Sequence, residues 1–238
     1  GMARIAHTVL MFAAVACATG TATLAASPNS GHVLVLLNDG AGRLEPTAQG
    51  RVVVDASARK VAVGDFDGDA FDDIVVGAPD ANYAGQAFVI FGSDTPTSGT
   101  LDSLLIGGDA ILIEGAQASD ALGHAVSGAG DVNGDGLDDV IVGSPYSDTY
   151  ASGAGAAFVI FGSAARTDVD TSIDLDGSNG FVIFGRSEDD NAGFSVDGGG
   201  DLNGDGLSDL VVGARNANYS GNYGLGEAYV VFGSDAGF

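Results

Sequence analysis

An all-β fold of repeated four-stranded units is predicted by three observations. Thirty-nine glycines against five prolines, no tryptophan, and short runs of Val, Ile and Phe describe many short strands joined by tight turns. Phe88-Val89-Ile90-Phe91-Gly92, Phe158-Val159-Ile160-Phe161-Gly162 and Tyr229-Val230-Val231-Phe232-Gly233 recur 70 and 71 residues apart, and 111–143 aligns with 181–213 at an offset of 70 without a gap. Each repeat carries four apolar runs: one before an acidic loop, one after it, the Phe-Val-Ile-Phe run, and a run such as Ile111-Leu112-Ile113 or Phe181-Val182-Ile183. Four short strands per unit, repeated, is the pattern of propeller blades, whose apolar faces only neighbouring blades can cover. At 238 residues and 45% hydrophobic content the chain can build a core of this kind.

Residues 2–26 hold one basic side chain, Arg4, then an unbroken apolar run from Val9 to Ala18, then small residues to Ser27. Ten apolar residues are too few to span a bilayer and suit the core of a secretory signal, with cleavage after Ala25, Ala26 or Ala18. Ala14-Val15-Ala16-Cys17 is a poor lipoprotein box, so a lipid anchor on Cys17 is a minor alternative, and a buried element of a larger chain is another. His32 to Leu37 and Arg51 to Asp55 read as strands, the back half of an earlier repeat within a segment 32–238. The repeats proper span about 61–115, 122–185 and 192–238, the last without its fourth strand. Three blades and a partial one do not close a ring, so further blades from a longer chain, or self-association, are expected.

The acidic loops are the chemically informative stretch. Asp65-Phe66-Asp67-Gly68-Asp69-Ala70-Phe71-Asp72-Asp73, Asp131-Val132-Asn133-Gly134-Asp135-Gly136-Leu137-Asp138-Asp139 and Asp201-Leu202-Asn203-Gly204-Asp205-Gly206-Leu207-Ser208-Asp209 each precede a short β-branched run ending in glycine. Asp or Asn at positions one, three and five, with Asp at position nine, turns hard oxygen donors inward on one tight loop, which is what Ca²⁺ selects. The ligand sets read as Asp65, Asp67, Asp69 and Asp73; Asp131, Asn133, Asp135 and Asp139; and Asp201, Asn203, Asp205 and Asp209. The position-seven carbonyls of Phe71, Leu137 and Leu207 complete them, giving three Ca²⁺ sites. An EF-hand is excluded because position twelve is Val76, Val142 or Val212 and no helical period follows. Ala70 replaces the position-six glycine, so the first site is expected to differ from the others.

The formal charge of −24, with eight basic residues in all, would repel a phosphate backbone and excludes nucleic acid as a partner. Twelve of the 32 acids lie in the three loops. Without a cation they repel at close range, and folding is expected to depend on one. A single cysteine excludes an intrachain disulfide and a four-cysteine zinc site. No nucleophile elbow, HExxH or phosphate loop is present, Gly198-Gly199-Gly200 reads as a turn, and His124 takes the repeat position of Phe194, which points to packing. No catalytic residue is therefore assigned. Tyr83, Tyr146, Tyr150, Tyr219 and Tyr223 fall in the loops after the second strands, where they would either form a binding rim or cap the blade ends.

At these residues the chain resembles FG-GAP repeats, the blades of the integrin α-subunit β-propeller and of many bacterial surface proteins. The resemblance rests on the Asp-x-Asn-Gly-Asp-Gly-x-x-Asp loop, on Gly77-Ala78-Pro79 and on the Gly-x-x-Val of Gly123 to Val126 and Gly193 to Val196, and covers roughly 61–233. Leu122-Gly123 and Ala192-Gly193 stand where the family has Phe-Gly, and the Gly-Ala-Pro element becomes Gly143-Ser144-Pro145 and Gly213-Ala214-Arg215. The resemblance implies a secreted or cell-surface module that binds a protein or glycan, with Ca²⁺ as its staple. The alternatives are an accessory domain of an extracellular hydrolase or lyase, or an architectural spacer.

Overall fold

The computed structural model describes residues 11–17, 20–26, 33–36, 52–53, 58–93, 99–172, 175–217 and 224–238. Met11–Cys17 (β1), Gly20–Ala26 (β2) and Val33–Leu36 (β3) pair antiparallel in the order β1-β2-β3. The apolar run read as a signal core or a buried element thus overlaps a paired strand. Val52–Val53 (β4) follows. Lys60–Gly64 (β5), Asp73–Ala78 (β6) and Gln86–Ile90 (β7) form the first three strands of a blade. Its fourth strand, Ala110–Glu114 (β9), comes after Gly99–Thr100 (β8), which pairs with β4, and a helix, Leu101–Gly107 (α1). The second blade is Ala125–Gly130 (β10), Asp139–Ser144 (β11), Ala156–Ile160 (β12) and, beyond the two-residue Val169–Asp170 (β13), Gly180–Phe184 (β14). Ala192–Gly200 (β15), Asp209–Ala214 (β16) and Glu227–Val231 (β17) make the third. Strand order within the blades is β5-β6-β7-β9, β10-β11-β12-β14 and β15-β16-β17, antiparallel throughout. The predicted four-strand unit is present in the first two blades, and the third shows three strands among the described residues.

Strand alternation decides which side chains join which interface. Along β11, Val140 and Val142 enter the core shared with the first blade, while Ile141 enters the core shared with the third. Along β12, Ala156, Phe158 and Ile160 face back, and Ala157 and Val159 face forward. Position two of the first two acidic loops is part of this packing: Phe66 lies in the first interface and Val132 in the second. Burying each contributes about 1.5–3 kcal/mol, so the loops are anchored by the blade contacts they help to make. The equivalent forward face of the third blade is open, with Leu202 60%, Val230 48% and Phe232 52% exposed.

Two features depart from the sequence reading. Helix α1 was not expected in an all-β chain. Thr100 caps its start by accepting from the Ser103 amide, Gly108 ends it with φ 80°, and Leu101 and Leu104 cover Val76, Phe88 and Ile90 on the back face of the first blade. A helix of seven residues is held by that burial rather than by propensity. Gly198-Gly199-Gly200 is not a turn but the end of β15, carrying a register shift between Asp197 and Gly200.

The motif glycines mark where blades cross. A Cβ on Gly77 would lie 2.3 Å from the Gly123 carbonyl oxygen, and one on Gly143 would lie 2.0 Å from that of Gly193. At the third repeat of the same position, a Cβ on Gly213 would meet only the Ser195 hydroxyl at 2.3 Å, and a side chain can rotate away. We therefore expect Gly143→Ala to cost about 3 kcal/mol and Gly213→Ala less than about 1 kcal/mol in urea unfolding. Equal costs would contradict the crossing as described.

Candidate metal centre

The three loops fold alike because position one organises each of them. Asp131 Oδ1 accepts from the amides of Gly134 and Asp135 at 2.7 and 3.1 Å, and Oδ2 from Gly136 at 2.9 Å. Asp65 accepts from Gly68, Asp69 and Ala70, and Asp201 from Gly204, Asp205 and Gly206, in the same pattern. Positions three and five accept from amides two residues on: Asp67 from Asp69, Asp69 from Phe71, Asn133 from Asp135, Asp135 from Leu137, Asn203 from Asp205 and Asp205 from Leu207. Positions one, three and five are thereby fixed on one tight turn in every repeat.

Position nine does something the sequence did not reveal. Asp73 accepts from Phe66 N–H within its loop at 2.8 Å and from Gly92 N–H at 2.7 Å. Asp139 does the same with Val132 and Gly162, and Asp209 with Leu202 and Gly233. The glycine of each Phe-Gly run is therefore tied to the acidic loop of its own blade, and all three carboxylates are buried. In Asp73 and Asp139 each oxygen uses one lone pair in the latch and retains another for a cation, whereas Asp209 Oδ2 also accepts from the Asn203 amide at 3.3 Å. Burial pushes Asp73 and Asp139 up to about 7, with the neighbouring loop carboxylates adding to the shift and the amide donors opposing it.

Adjacent loops are bonded to one another. Asp138 donates its amide to the Asp65 carbonyl at 3.2 Å and accepts from the Asp65 amide at 3.2 Å. Ser208 donates to the Asp131 carbonyl at 2.8 Å, while Ser163 and Ser234 donate to the carbonyls of Phe66 and Val132 at 2.8 Å each. These partners lie about one repeat apart in sequence, so no local pattern discloses them.

The donor set suits a hard cation, being all oxygen. Ligand atoms of Asp65, Asp67 and Asp73 lie within 4.8 Å of one another, and among the described residues no second group of three acidic, histidine or cysteine ligands is as tight. Asp69 stands outside that group. In the other loops Asn takes position three and donates its Nδ2 to the position-five carboxylate, Asn133 to Asp135 at 2.9 Å and Asn203 to Asp205 at 2.8 Å.

On the opposite rim, His124 packs on Phe194 with ring centroids 4.6 Å apart, as the repeat alignment suggested. Tyr83, Tyr146 and Tyr150 are exposed there; Tyr219 and Tyr223 lie outside the described residues. The sequence reading passed over Asp120 and Asp190, buried on this rim at the same 70-residue spacing. That recurrence was the available signal.

Position six has φ 88° at Gly136 and 93° at Gly206, and φ 70° at Ala70. A left-handed alanine carries roughly 1–2 kcal/mol of strain, partly offset because glycine has more freedom to lose on folding. Ala70→Gly should stabilise the chain by about 1 kcal/mol in urea unfolding. A loss of stability would show that the first loop does not need this conformation.

Comparison with known proteins places these repeats in a family. The FG-GAP repeat matches residues 57–90, 122–160 and 192–231, one segment per blade, each including an acidic loop. Integrin alpha pat-2 of Caenorhabditis elegans is 32% identical over 167 residues, which cover 65% of this chain and 13% of that protein. Integrin alpha-5 of Xenopus laevis is 31% identical over 183 residues, covering 74% of this chain and 15% of the relative. Integrin alpha-IIb of Homo sapiens is 30% identical over 169 residues, covering 66% and 14%. The chain spans about a seventh of the length of these relatives. With one family segment on each blade and integrin α relatives across most of its length, the chain belongs to the FG-GAP repeat, integrin α-type propeller family.

Proposed function

We propose that the chain is a calcium-stapled propeller module of a secreted or cell-surface protein, and that it binds a protein or glycan rather than catalysing a reaction. One observation carries the reading: three copies of one oxygen-donor loop, each centred on a buried carboxylate, sit at the contacts between successive blades. Asp65, Asp67, Asp69 and Asp73, with the Phe71 carbonyl, would hold the first ion. The matching sets are Asp131, Asn133, Asp135, Asp139 and Leu137, and Asp201, Asn203, Asp205, Asp209 and Leu207. A bound Ca²⁺ neutralises carboxylates that otherwise repel. The chain's residues supply the rest by fixing the loop, latching the third strand and seating Phe66 and Val132 between blades.

The kinship to integrin α subunits supports the adhesive role, as do Tyr83, Tyr146 and Tyr150 on the rim away from the metal loops. Such amphipathic side chains suit a contact surface. Residues 1–26 would act as the export signal and 32–238 as the propeller segment, with other blades or another chain completing it at the open face of the third blade. Among the described residues no helix is long and apolar enough to cross a membrane.

Thermal unfolding in excess EDTA and across a calcium titration, with magnesium as control, tests the staple. At roughly millimolar calcium and dissociation constants near 0.1 mM, each site adds about 1.4 kcal/mol. A calcium-specific rise in midpoint is expected, and a flat response would end the reading. The pH dependence sharpens the test. Without metal, folded Asp73 and Asp139 hold their protons to about 7, whereas an unfolded aspartate releases its proton near 3.8. Stability in EDTA should therefore fall as pH rises from 4 to 7. In saturating calcium it should rise over the same window, because the ion binds the ionised carboxylates in competition with protons.

A further inference from the structure

We propose that Arg166 is a tethered cation that occupies the ligand face of the first loop and must leave for Ca²⁺ to bind there. The inference rests on the reading of the loops as cation sites and assigns a residue that sets one site apart from the other two.

Arg166 lies in the turn after β12, a segment fastened to the first loop by the Ser163 amide on the Phe66 carbonyl at 2.8 Å. Its guanidinium forms an ion pair with Asp67 Oδ2 and a hydrogen-bonded pair with Asp69 Oδ2 at 3.3 Å. It also stands over the Phe91 ring, 4.3 Å from the centroid. The Asp67 side chain is only 2% exposed, and Oδ2 is buried without a hydrogen bond, so Arg166 is its counter-charge by contact alone. Two of the four carboxylates assigned to the first ion thus have an oxygen committed to a cation the chain carries itself.

Among the described residues no lysine or arginine pairs with the carboxylates of the other two loops. Counting from Phe-Gly-Ser, the place of Arg166 in the next repeat is Gly237. Asn133 and Asn203 instead donate a hydrogen bond from their uncharged amide nitrogens to the position-five carboxylate of their loops. The first loop has Asp67 where those have Asn, so it carries an extra carboxylate, and Arg166 is the group that balances it. With the guanidinium in place the loop is not competent for metal, and the apparent dissociation constant is the intrinsic one divided by the open fraction. The result is a graded set: loops two and three fill first, and loop one fills only when calcium displaces Arg166.

Calcium titration by calorimetry, with melting in EDTA and in saturating calcium, tests this on the full chain, Arg166→Gln and Arg166→Lys. Asp65→Asn identifies the first site by the class of binding it weakens. In the unmodified chain that class should be the weakest, and Arg166→Gln should tighten it roughly three- to tenfold, the worth of a part-exposed ion pair. The same variant should lower the midpoint in EDTA and leave it unchanged in saturating calcium. Arg166→Lys, which keeps a charge over Phe91, should fall between. If the unmodified chain binds calcium but Arg166→Gln leaves the first site unchanged, or lowers both midpoints equally, Arg166 is a structural cation and the inference fails alone. If no protein binds calcium, the reading of the loops fails with it.

Discussion

Three carboxylates buried at equivalent places impose the main constraint on this chain. Burying a carboxylate is unfavourable unless hydrogen bonds and counter-charge surround it. Asp73, Asp139 and Asp209 each meet half of that need with backbone donors from the loop and from the glycine after the third strand. That glycine is required where it stands, because a Cβ on Gly92, Gly162 or Gly233 would run into the position-eight carbonyl at 2.5–2.7 Å. Among the described residues no lysine or arginine forms an ion pair with these three carboxylates. A divalent cation at the loop would supply the other half.

The same loops hold the blades in sequence. In the first two loops the position-two side chains lie in the apolar interfaces, and the position-one and position-two carbonyls accept from the following repeat. Loop geometry and blade packing are therefore one cooperative unit, and anything that orders a loop also orders the contact beyond it. The loops concentrate twelve of the chain's 32 acids, and the rest of its acidity lies outside them.

Much of this was legible in the sequence because the repeat is long-range and regular. The 70-residue period placed the strands, the Val-Ile-Val runs announced buried strands, and the Asp spacing marked the residues that organise each loop. Ala70 was recognisable as a residue in a glycine's place, and its φ of 70° bears that out. What stayed hidden depends on contacts between repeats. The Asp138–Asp65 and Ser208–Asp131 bonds join residues 73 and 77 positions apart, and Arg166 reaches Asp69 across 97. Helix α1 was missed because seven residues carry too little periodicity to register, although Thr100 and Gly108 mark its ends. The triple glycine misled because glycine weakens both strand and turn assignments, and here a bulge absorbs it.

The central claim is that metal at the loops and contact between the blades are one equilibrium. Native-state hydrogen exchange on the chain, with calcium and then with EDTA, measures it directly. The amides of Gly92, Gly162 and Gly233, which donate to the buried carboxylates, should lose protection on metal removal together with those of Ser163 and Ser234, which bridge to the preceding loop. If the loop amides open while the bridging amides and the strands β11 and β12 keep their full protection, the loops are separate ornaments on a stack that stands without them, and the account is wrong.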